Sequence, residues 1–387
     1  MSKRPNKRVL VDGVFLGPTM KGVGRYVQNT LWKLADLDSE NDFWVLSRQD
    51  QTLPPLPHNP RFHYVAIPYR NHYLHGFRVL PRMARRLHAD VAWIPYETAL
   101  GSLPCPYLIL CHDIPRLISQ AQAEAGQGIF LLRRILQRMD LLLLKNSLRK
   151  AARVFGNSLY VGEWLAAEMG IPGGCISHAP CAPGMDFAEL RKKVDIDKVR
   201  RSLDSPRGYI LAFYTGDGRE NFQAVLEVYG RLVEEKFPQS LVIAGVPESD
   251  RESLESGVAR FSWRGRVRFI PFLGTGREQD LADIYTAASV YFDPSLHEGF
   301  GMQVIEAMAC GTPVVCSNRG ALPEVAGRAA ILVDPTDPGE MAEGLIRVLS
   351  NPELACRLTS WGEERSASFN WERTARAIWD GLLEAAT

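Results

Sequence analysis

The chain has 387 residues, too many for one ordinary hydrophobic core, so its length favours two domains. Hydrophobic residues make up 46% and charged residues 23%, which excludes a disordered chain, and no apolar run approaches the roughly 18 residues of a membrane span. The formal net charge is +1, but residues 1–190 hold 22 Lys and Arg against 15 Asp and Glu, whereas the rest hold 23 against 29. The basic first half is therefore expected to face something anionic.

Strand-like runs alternate with helical patterns along the whole chain. In the first half, strands are predicted at 8–11, 42–47, 61–67, 91–94, 107–111 and 153–157, and helices at 24–34, 130–152 and 160–168. In the second half, strands are predicted at 209–214, 240–244, 267–270, 290–292, 313–316 and 330–333, and helices at 221–235, 279–288, 302–309 and 338–349. This alternation predicts parallel sheets with crossover helices, an α/β fold.

Two Rossmann-like domains follow from this order of elements. We predict an N-terminal domain over 1–190, a C-terminal domain over 191–370, and a last helix, 371–387, that packs back on the N-terminal domain. The joining region, 188–205, is rich in charge. A ligand is expected at the carboxyl ends of the strands, in the cleft between the domains.

Cysteine spacing and the first residues bear on the cellular compartment. The seven cysteines form no C-x-x-C pair, so neither a zinc site nor a disulfide framework is expected, and a reducing cytosol is the default. The start, MSKRPNKRVLVDGVFLG, is basic and then apolar, but Asp12 interrupts the apolar stretch and no cleavage pattern follows. We expect a buried strand there rather than a signal peptide, and a cytoplasmic protein.

The most informative stretch is HEGFGMQVIEAMACGTPVV, residues 297–315. It follows a predicted strand, and its apolar positions from Met302 onward fall at helical spacing until Gly311 and Pro313 stop the helix. Glu298 is therefore predicted on a strand-to-helix turn, and Glu306 just over one turn into the helix.

The glycines of this stretch predict a ligand of a particular kind. Gly299 and Gly301 let the backbone approach a ligand closely, and the N–H groups at the helix start favour a phosphate. The two glutamates would accept hydrogen bonds from hydroxyl groups, in which sugars and ribose are rich. The turn therefore suits a nucleotide sugar.

This stretch resembles the signature of the retaining glycosyltransferases of family four, the glycosyl transferases group 1, which have the GT-B fold. Those enzymes carry two glutamates separated by seven residues, in an E-G-F-G…E-A-M-A-x-G-x-P-V-V setting. The matching positions are Glu298, Gly299, Phe300, Gly301, Glu306, Ala307, Met308, Ala309, Gly311, Pro313, Val314 and Val315. The resemblance continues through 317–325 and 369–371, and residues 22–26, GVGRY, resemble the first glycine loop of the family.

The resemblance implies a retaining, metal-independent hexosyltransferase with GT-B architecture, two Rossmann-like domains facing each other across a cleft. The donor would be a GDP- or UDP-sugar, with no further cofactor, and the acceptor a saccharide or a lipid-linked saccharide. A mannosyltransferase-like role in polysaccharide biosynthesis follows by analogy. The catalytic residues implied are His112, Arg219 and Glu298, and the donor-binding residues are Gly22, Gly24, Asn221, Gly299, Phe300, Gly301, Met302 and Glu306.

His112 follows an apolar strand, where ligand sites of α/β proteins are found. From position alone, a structural histidine is an equal alternative. The family often has a histidine here that contacts the donor sugar, so the resemblance implies that role. Asn157-Ser158, after the next predicted strand, resembles the polar stop of the family, and a helix cap is its simpler interpretation.

Arg219-Glu220-Asn221 departs from the family pattern, which is commonly R-K-N with a lysine that grips the diphosphate. A glutamate facing a diphosphate would be repelled by roughly 1 kcal/mol or more. Either Arg219 alone binds the phosphates, another cation substitutes, or donor binding is weak. The alternative function is therefore a nucleotide-sugar-binding relative with little or no turnover. The signature argues against an epimerase or a phosphorylase.

Two basic stretches stand out in the first half, at 69–86 and 130–153. A solvated amphipathic helix is the simpler interpretation of each. The alternative is peripheral contact with an anionic membrane, at its inner face, or with a lipid-phosphate acceptor. Nucleic acid is not expected, because no binding motif accompanies the charge.

The resemblance also implies a mechanism, in which particular residues are expected to have definite roles. A retaining transfer passes through an oxocarbenium-like transition state, and the leaving diphosphate gathers negative charge. We expect the helix start at Met302 and the guanidinium of Arg219 to stabilise that charge, Glu298 to hold sugar hydroxyls and Glu306 to hold the ribose. The D-x-D strings at 36–38 and 195–197 lie in a polar loop and in the linker, so no metal site is expected.

Overall fold

The computed structural model describes residues 6–18, 22–38, 40–113, 130–184, 187–274 and 276–387, with side chains from 138 onward in the helix that begins at 130. Contacts divide the chain into two compact units. Unit 1 comprises Met1–Cys181 and Asn370–Thr387, and unit 2 comprises Ala182–Phe369. The chain leaves unit 1 earlier than the predicted position 190, because the last strand of the first sheet already ends at His178.

Unit 1 is built on a seven-stranded sheet with the order β3-β2-β1-β4-β5-β6-β7. Its strands are β1 Arg8–Asp12, β2 Asp42–Arg48, β3 Phe62–Ile67, β4 Val91–Ile94, β5 Tyr107–Cys111, β6 Arg153–Gly156 and β7 Ile176–His178. Its helices before unit 2 are α1 Gly22–Leu37, α2 His72–Leu74, α3 Leu80–Leu87, α4 Phe130–Lys150 and α5 Leu159–Ala167. The strand order changes direction between β1 and β4, which makes that point the ligand-binding position expected of such a sheet.

Unit 2 is built on a six-stranded sheet with the order β10-β9-β8-β11-β12-β13. Its strands are β8 Tyr209–Phe213, β9 Ser240–Val246, β10 Val267–Pro271, β11 Val290–Asp293, β12 Val314–Ser317 and β13 Ala330–Val333. Its helices are α6 Phe187–Leu190, α7 Ile196–Ser202, α8 Phe222–Glu234, α9 Glu248–Ala259, α10 Glu278–Ala287, α11 Met302–Ala309, α12 Leu322–Ala326, α13 Pro338–Ser350 and α14 Pro352–Ala367.

All neighbouring strands in both sheets are parallel. Their central strands are buried on both faces, as in β1, where Val9, Leu10 and Val11 are fully buried. Helices on both faces of a parallel sheet favour such continuous apolar runs. The predicted α/β class with two parallel sheets is confirmed.

The last helix, α15 Trp371–Ala385, belongs to unit 1. The Thr374 hydroxyl donates to the carbonyl oxygen of Pro180 at 2.6 Å. A Cβ placed on Gly381 would lie 3.0 Å from side-chain atoms of both Leu108 and Phe155, so the helix packs closely against β5 and β6. None of the helices that the structure describes combines the length and the hydropathy that a membrane crossing requires.

Candidate functional site

The turn between β11 and α11 has the geometry that the glycines predicted. Gly301 has φ of 96° and directly precedes α11, and a Cβ there would lie 2.4 Å from Leu322, so a side chain is excluded on both grounds. Having no side chain, Gly301 leaves the helix start without a side-chain cap, which suits an anion. The buried ring of Phe300 anchors the turn, edge-on to Phe369 at 5.5 Å.

Glu298 is fixed through its backbone by the turn that follows β12. Gly320 has φ of 65°, and a Cβ there would lie 2.6 Å from the carbonyl oxygen of Glu298 and 2.8 Å from its nitrogen. The same carbonyl accepts a hydrogen bond from the N–H of Ala321 at 2.9 Å. The half-buried side chain of Glu298 is therefore presented from a backbone held on two sides.

Glu306 lies inside α11 and is only 2% exposed. Its carboxylate accepts a hydrogen bond from the hydroxyl of the buried Tyr285 at 3.2 Å. A buried carboxylate needs such partners, because its desolvation is otherwise costly. The structure thus places Glu306 in α11, the helix whose start is the predicted phosphate site, as expected. Its side chain is more buried than that of a surface glutamate.

The loop after β8 holds Glu220 in an unforeseen way. Its carboxylate accepts hydrogen bonds from the N–H of Thr215 at 2.8 Å and from the Thr215 hydroxyl at 2.7 Å. Burial raises the pKa of Glu220, and the two bonds from Thr215 oppose that rise. The negative charge in the lysine position of the family is therefore tied to its own loop.

Asn221 connects this loop to neighbouring strand ends, whereas the guanidinium of Arg219 pairs within the loop. The guanidinium of Arg219 is paired with Asp217, with Nη2 2.6 Å from the carboxylate, so a phosphate would share Arg219 with Asp217. Asn221 has a left-handed φ of 55°, and its side-chain amide donates to the carbonyl oxygens of Pro294 at 3.1 Å and Pro335 at 2.8 Å. Arg219 and Asn221 thus lie beside the segment that leads from β11 into the glycine turn.

Asp293, at the end of β11, was missed by the sequence analysis. It is 6% exposed and accepts hydrogen bonds from the Ser295 hydroxyl at 2.5 Å and the Tyr291 hydroxyl at 3.1 Å. Burial raises its pKa. The sequence did contain a signal for this turn, because an Asp at a strand end typically accepts a hydrogen bond from the residue two positions later. Asp293 thus stabilises the start of the segment that leads from β11 into the glycine turn.

In unit 1, His112 follows β5 with its ring held from two directions. Its Nε2 lies 2.9 Å from the carbonyl oxygen of Pro95, and since a carbonyl only accepts, Nε2 carries the proton and Nδ1 is the acceptor. The ring packs edge-on to Tyr26 at 4.9 Å. Burial lowers the pKa of His112 to about 4. His112 is therefore a neutral imidazole with one acceptor nitrogen near pH 7.

The backbone of His112 is held as well. Its N–H donates to the Glu97 carboxylate at 3.1 Å, and its carbonyl accepts from the side-chain amide of Asn157 at 2.9 Å. The next residue, Ser158, caps α5 by accepting from the N–H of Val161 at 3.1 Å, as predicted. Asn157 thus has a role beyond the predicted cap.

Gly22 and Gly24, which resemble the first glycine loop of the family, are helical; the helix was predicted from Gly24 and begins two residues earlier, and the role of both glycines in donor binding stays a prediction. Both residues lie in the first turn of α1, which begins at Gly22. Each glycine costs a helix about 1 kcal/mol relative to alanine. The burial of Tyr26, whose hydroxyl also donates to the carbonyl oxygen of Ala179 at 2.9 Å, favours the helix nonetheless. Residues 19–21, just before it, lie outside the described residues.

The two D-x-D strings have local structural roles. Asp195 caps α7 by accepting from the N–H of Lys198 at 3.0 Å, and Asp38 accepts from the N–H of Glu40 at 2.8 Å. Among the described residues, no group of three or more His, Cys, Asp or Glu side chains is placed to hold a metal ion.

A surface pocket of unit 2 lies away from these residues. It opens between α8 and α13 and is lined by residues that include Gly230, Trp263 and Gly339. It contains none of the predicted site residues. The predicted residues are instead divided between the two units, with His112, Gly22 and Gly24 in unit 1 and Arg219, Asn221, residues 298–302 and Glu306 in unit 2.

Two family models match the chain. Glycosyltransferase Family 4 matches residues 20–182, and Glycosyl transferases group 1 matches residues 195–365. The second match contains every predicted site residue of unit 2.

Several curated relatives are bacterial glycosyltransferases. O-antigen chain mannosyltransferase B of Escherichia coli is 34% identical over 43% of this chain and 43% of that protein. The serotype-specific mannosyltransferase WbdA of Escherichia coli is 24% identical over 72% of this chain and 34% of that protein. D-inositol 3-phosphate glycosyltransferase of Corynebacterium jeikeium is 34% identical over 51% of this chain and 49% of that protein. The chain thus spans less than half the length of these relatives.

Solved structures resemble the chain over nearly its full length. Sucrose-phosphate synthase from Thermosynechococcus elongatus has a TM-score of 0.78 at 21% identity, covering 99% of this chain and 100% of that one. WaaG, a glycosyltransferase involved in lipopolysaccharide biosynthesis, has a TM-score of 0.73 at 14% identity, covering 97% and 99%. Anabaena HepE in complex with UDP-glucose has a TM-score of 0.73 at 16% identity, with the same coverage.

These likenesses confirm the GT-B fold. Because the two family models match consecutive stretches of a chain with that fold, the chain belongs to the group 1 glycosyltransferases of family 4.

Proposed function

We propose that the protein is a retaining, metal-independent hexosyltransferase, which moves a sugar from a nucleotide-diphosphate sugar to a saccharide or lipid-linked saccharide. The observation that carries this proposal is the turn between β11 and α11. There Gly301 opens a helix start and Gly320 fixes the backbone of Glu298, so that a glutamate directly precedes the turn into a set of helical N–H donors. This pairing suits a ligand with both hydroxyls and phosphates.

Unit 2 is proposed to bind the donor. Glu298 and the backbone of residues 299–301 hold the sugar hydroxyls, and Glu306 holds the ribose. The start of α11 at Met302 and the guanidinium of Arg219 stabilise the diphosphate, whose charge grows as it leaves. Support for a nucleotide-sugar donor comes from HepE, whose structure is a complex with UDP-glucose, and support for a hexose comes from two Escherichia coli relatives that are named mannosyltransferases.

Unit 1 is proposed to bind the acceptor and to contribute His112 to the donor sugar. With Nε2 donating to Pro95, the lone pair of Nδ1 can accept a hydrogen bond from a sugar hydroxyl. The pKa of His112, lowered to about 4, keeps that lone pair free of a proton near neutral pH. Neutral His112 is therefore a positioning and hydrogen-bonding group, not a general acid.

The transfer is proposed to follow a front-side route. The bond from the anomeric carbon to the diphosphate oxygen breaks, and the acceptor oxygen bonds to the same face of that carbon. The acceptor proton goes to the leaving diphosphate oxygen, so no carboxylate acts as a nucleophile. Exclusion of water from the closed complex would limit hydrolysis.

A further part of the proposal is peripheral contact with an anionic membrane at the cytoplasmic face. The arginines of the stretch at 69–86, Arg70, Arg78, Arg82, Arg85 and Arg86, are all exposed. Tyr73 and Phe77 beside them are 36% and 39% exposed. Cosedimentation with anionic vesicles at low salt, but not with zwitterionic ones, would support this contact. Equal sedimentation with both, or with neither, would contradict it.

The direct test of function has two stages. Melting temperatures measured with UDP, GDP and other nucleoside diphosphates would identify the base, and transfer from the matching sugar nucleotides to saccharide acceptors would then be followed by NMR of the product anomer. A product with the donor's anomeric configuration is expected. Inversion would refute the retaining mechanism. Stabilisation by a nucleotide without transfer to any acceptor would favour the alternative, a binding-only relative, for which Glu220 is the supporting residue.

A further inference from the structure

The segment Pro95-Tyr96-Glu97, directly after β4, holds His112. The carbonyl oxygen of Pro95 accepts from the ring at Nε2, at 2.9 Å. The carboxylate of Glu97 accepts from the backbone N–H of His112, at 3.1 Å. One short segment thus fixes both the ring and the main chain of the histidine.

The middle residue of this segment, Tyr96, ties it to the core. Its hydroxyl donates to Asp12 Oδ2 at 2.5 Å, and its ring packs edge-on to Phe15 at 4.7 Å. Burial, together with the charge of Asp12, raises the pKa of Tyr96, so the hydroxyl keeps the proton that it donates. Asp12 ends β1 and Tyr96 follows β4, which are the strands where the sheet order changes direction.

A buried histidine completes the anchor. His75 Nε2 lies 2.9 Å from the same Asp12 oxygen, and His75 begins a single π-helical turn, His75–Val79, a feature frequent at functional sites. The other polar atoms of the pair, Asp12 Oδ1 and His75 Nδ1, are buried without a hydrogen-bond partner among the described residues. Each such atom costs about 1–3 kcal/mol, so stability alone does not account for this cluster.

We propose that Tyr96 and Glu97 are positioning residues, which keep the His112 ring in the tautomer whose Nδ1 accepts a hydrogen bond from a hydroxyl of the sugar substrate. The role of that hydroxyl rests on the proposed function. The chain of contacts runs from Asp12 through the Tyr96 hydroxyl to the segment that carries the Pro95 carbonyl. Without this anchor, Pro95 is free to shift, and either ring nitrogen of His112 can then hold the proton.

The test uses Tyr96→Phe in the full chain, because phenylalanine keeps the ring packing and removes only the hydroxyl. Nitrogen-15 NMR of histidine-labelled protein reports the tautomer and the titration of His112 without any substrate. In the unchanged protein we expect Nε2–H only. In Tyr96→Phe we expect both tautomers and a pKa of His112 that rises from about 4 toward its ordinary value, as the ring becomes more solvated.

Tyr107→Phe is the matched control. Tyr107 is a buried tyrosine of unit 1 whose hydroxyl donates to the Ser147 carbonyl at 2.6 Å, and its loss should leave the His112 signal unchanged. If Tyr96→Phe also leaves the signal unchanged, the proposal for Tyr96 fails. If both variants shift it alike, general loosening explains the effect and the proposal fails as well.

Glu97 provides a second route should Tyr96→Phe fold poorly. Glu97→Ala removes the acceptor of the His112 N–H and should mix the tautomers, whereas Glu97→Gln keeps an acceptor oxygen and should restore the single form. Equal spectra for Glu97→Ala and the unchanged protein would overturn the role of Glu97.

Kinetics separate this proposal from the proposed function. With active protein, Tyr96→Phe should lower kcat/KM about tenfold, since small misplacements of a contacting group cost that much or more, while nucleoside diphosphate affinity stays unchanged. A tautomer shift in a protein that transfers no sugar would uphold the positioning role and refute the proposed function. Full activity with mixed tautomers would refute the positioning role alone.

Discussion

Replacing Glu220 with glutamine tests how its buried charge acts on the donor site of unit 2. The side-chain oxygen of glutamine can still accept from the Thr215 N–H, now 2.8 Å from the carboxylate. Its amide nitrogen can donate to the Thr215 hydroxyl, which now donates at 2.7 Å and can rotate to accept. The substitution therefore removes the charge and keeps both contacts.

The expected gain in nucleotide affinity follows from Coulomb repulsion. A carboxylate near a diphosphate costs roughly 1 kcal/mol at partly screened distances, so Glu220→Gln should lower the Kd for a nucleoside diphosphate about fivefold. Glu220→Lys is the contrasting variant. It adds the cation of the family pattern, which should strengthen nucleotide binding, but it removes both acceptors of Thr215, at about 1.5–3 kcal/mol of folding stability for each bond to the charged group.

The pH dependence has a definite sign. Burial raises the pKa of Glu220 in the folded state above its ordinary value, so the folded state holds the proton more tightly than the unfolded state does. The resulting loss of folding stability is absent below the ordinary pKa of the carboxyl group and grows as pH rises through the raised pKa of the folded state. Glutamine carries no such penalty, so Glu220→Gln should melt higher than the unchanged protein at pH 7.5, with a smaller difference at pH 4.

Isothermal titration with UDP and GDP at pH 5 and pH 7.5 measures the effect on nucleotide affinity, and melting curves from pH 4 to pH 7.5 measure the effect on stability. Glu220→Gln should narrow the difference in affinity between the two pH values. If the variant binds UDP and GDP no more tightly than the unchanged protein at pH 7.5, the charge of Glu220 does not act on the diphosphate. If it binds more weakly, the charge of Glu220 has a task of its own in donor binding.

Four further outcomes are expected. Gly320→Ala should destabilise unit 2 by about 1–3 kcal/mol and reduce transfer, because its Cβ would meet the Glu298 backbone at a positive φ; unchanged melting and kinetics would contradict this. Glu306→Ala should weaken nucleotide binding about tenfold by calorimetry if it holds the ribose, and unchanged affinity would show that it does not. Because the pKa of His112 is lowered to about 4, stability should fall as pH drops from its ordinary pKa toward 4, and denaturation of His112→Gln should lack that loss. Prolonged dialysis against EDTA should leave the transfer rate unchanged, and recovery of lost activity by Mg²⁺ or Mn²⁺ would refute the metal-independent proposal.

The strands were predictable because parallel strands covered on both faces are continuous apolar runs. Every predicted strand is present, with ends that differ from the prediction by no more than two residues. The exception is β7, Ile176–His178, which the sequence analysis missed. It is a three-residue edge strand whose residues are all half-buried, so it carries no apolar run to detect.

Helices were less predictable where burial is slight. In α9, Glu248–Ala259, only Val258 is buried, so little periodicity marks it. By contrast, α14 was missed although the sequence marks its start. Asn351 accepts a hydrogen bond from the N–H of Leu354, and Pro352 occupies the first turn, both of which are typical of a helix start.

Parts of the candidate site depend on contacts that no local pattern reveals. The grouping of Arg219 and Asn221 with the turn at Glu298 followed from strand order and family resemblance. The Glu220 contact with Thr215 did not, because it depends on how one loop folds back on itself. The helical state of Gly22, just before the predicted helix, depends likewise on the burial of Tyr26, which outweighs the low helix propensity of glycine.

The return of the chain to unit 1 at Asn370 affects the order in which a growing polypeptide can fold. Residues 182–369 contain all of unit 2 and are synthesised before α15. Until then the Pro180 carbonyl lacks the Thr374 hydroxyl, and Leu108 and Phe155 lack the cover that Gly381 allows. The half of the molecule that is synthesised first is therefore completed last, and loss of the C-terminal segment should destabilise the N-terminal sheet.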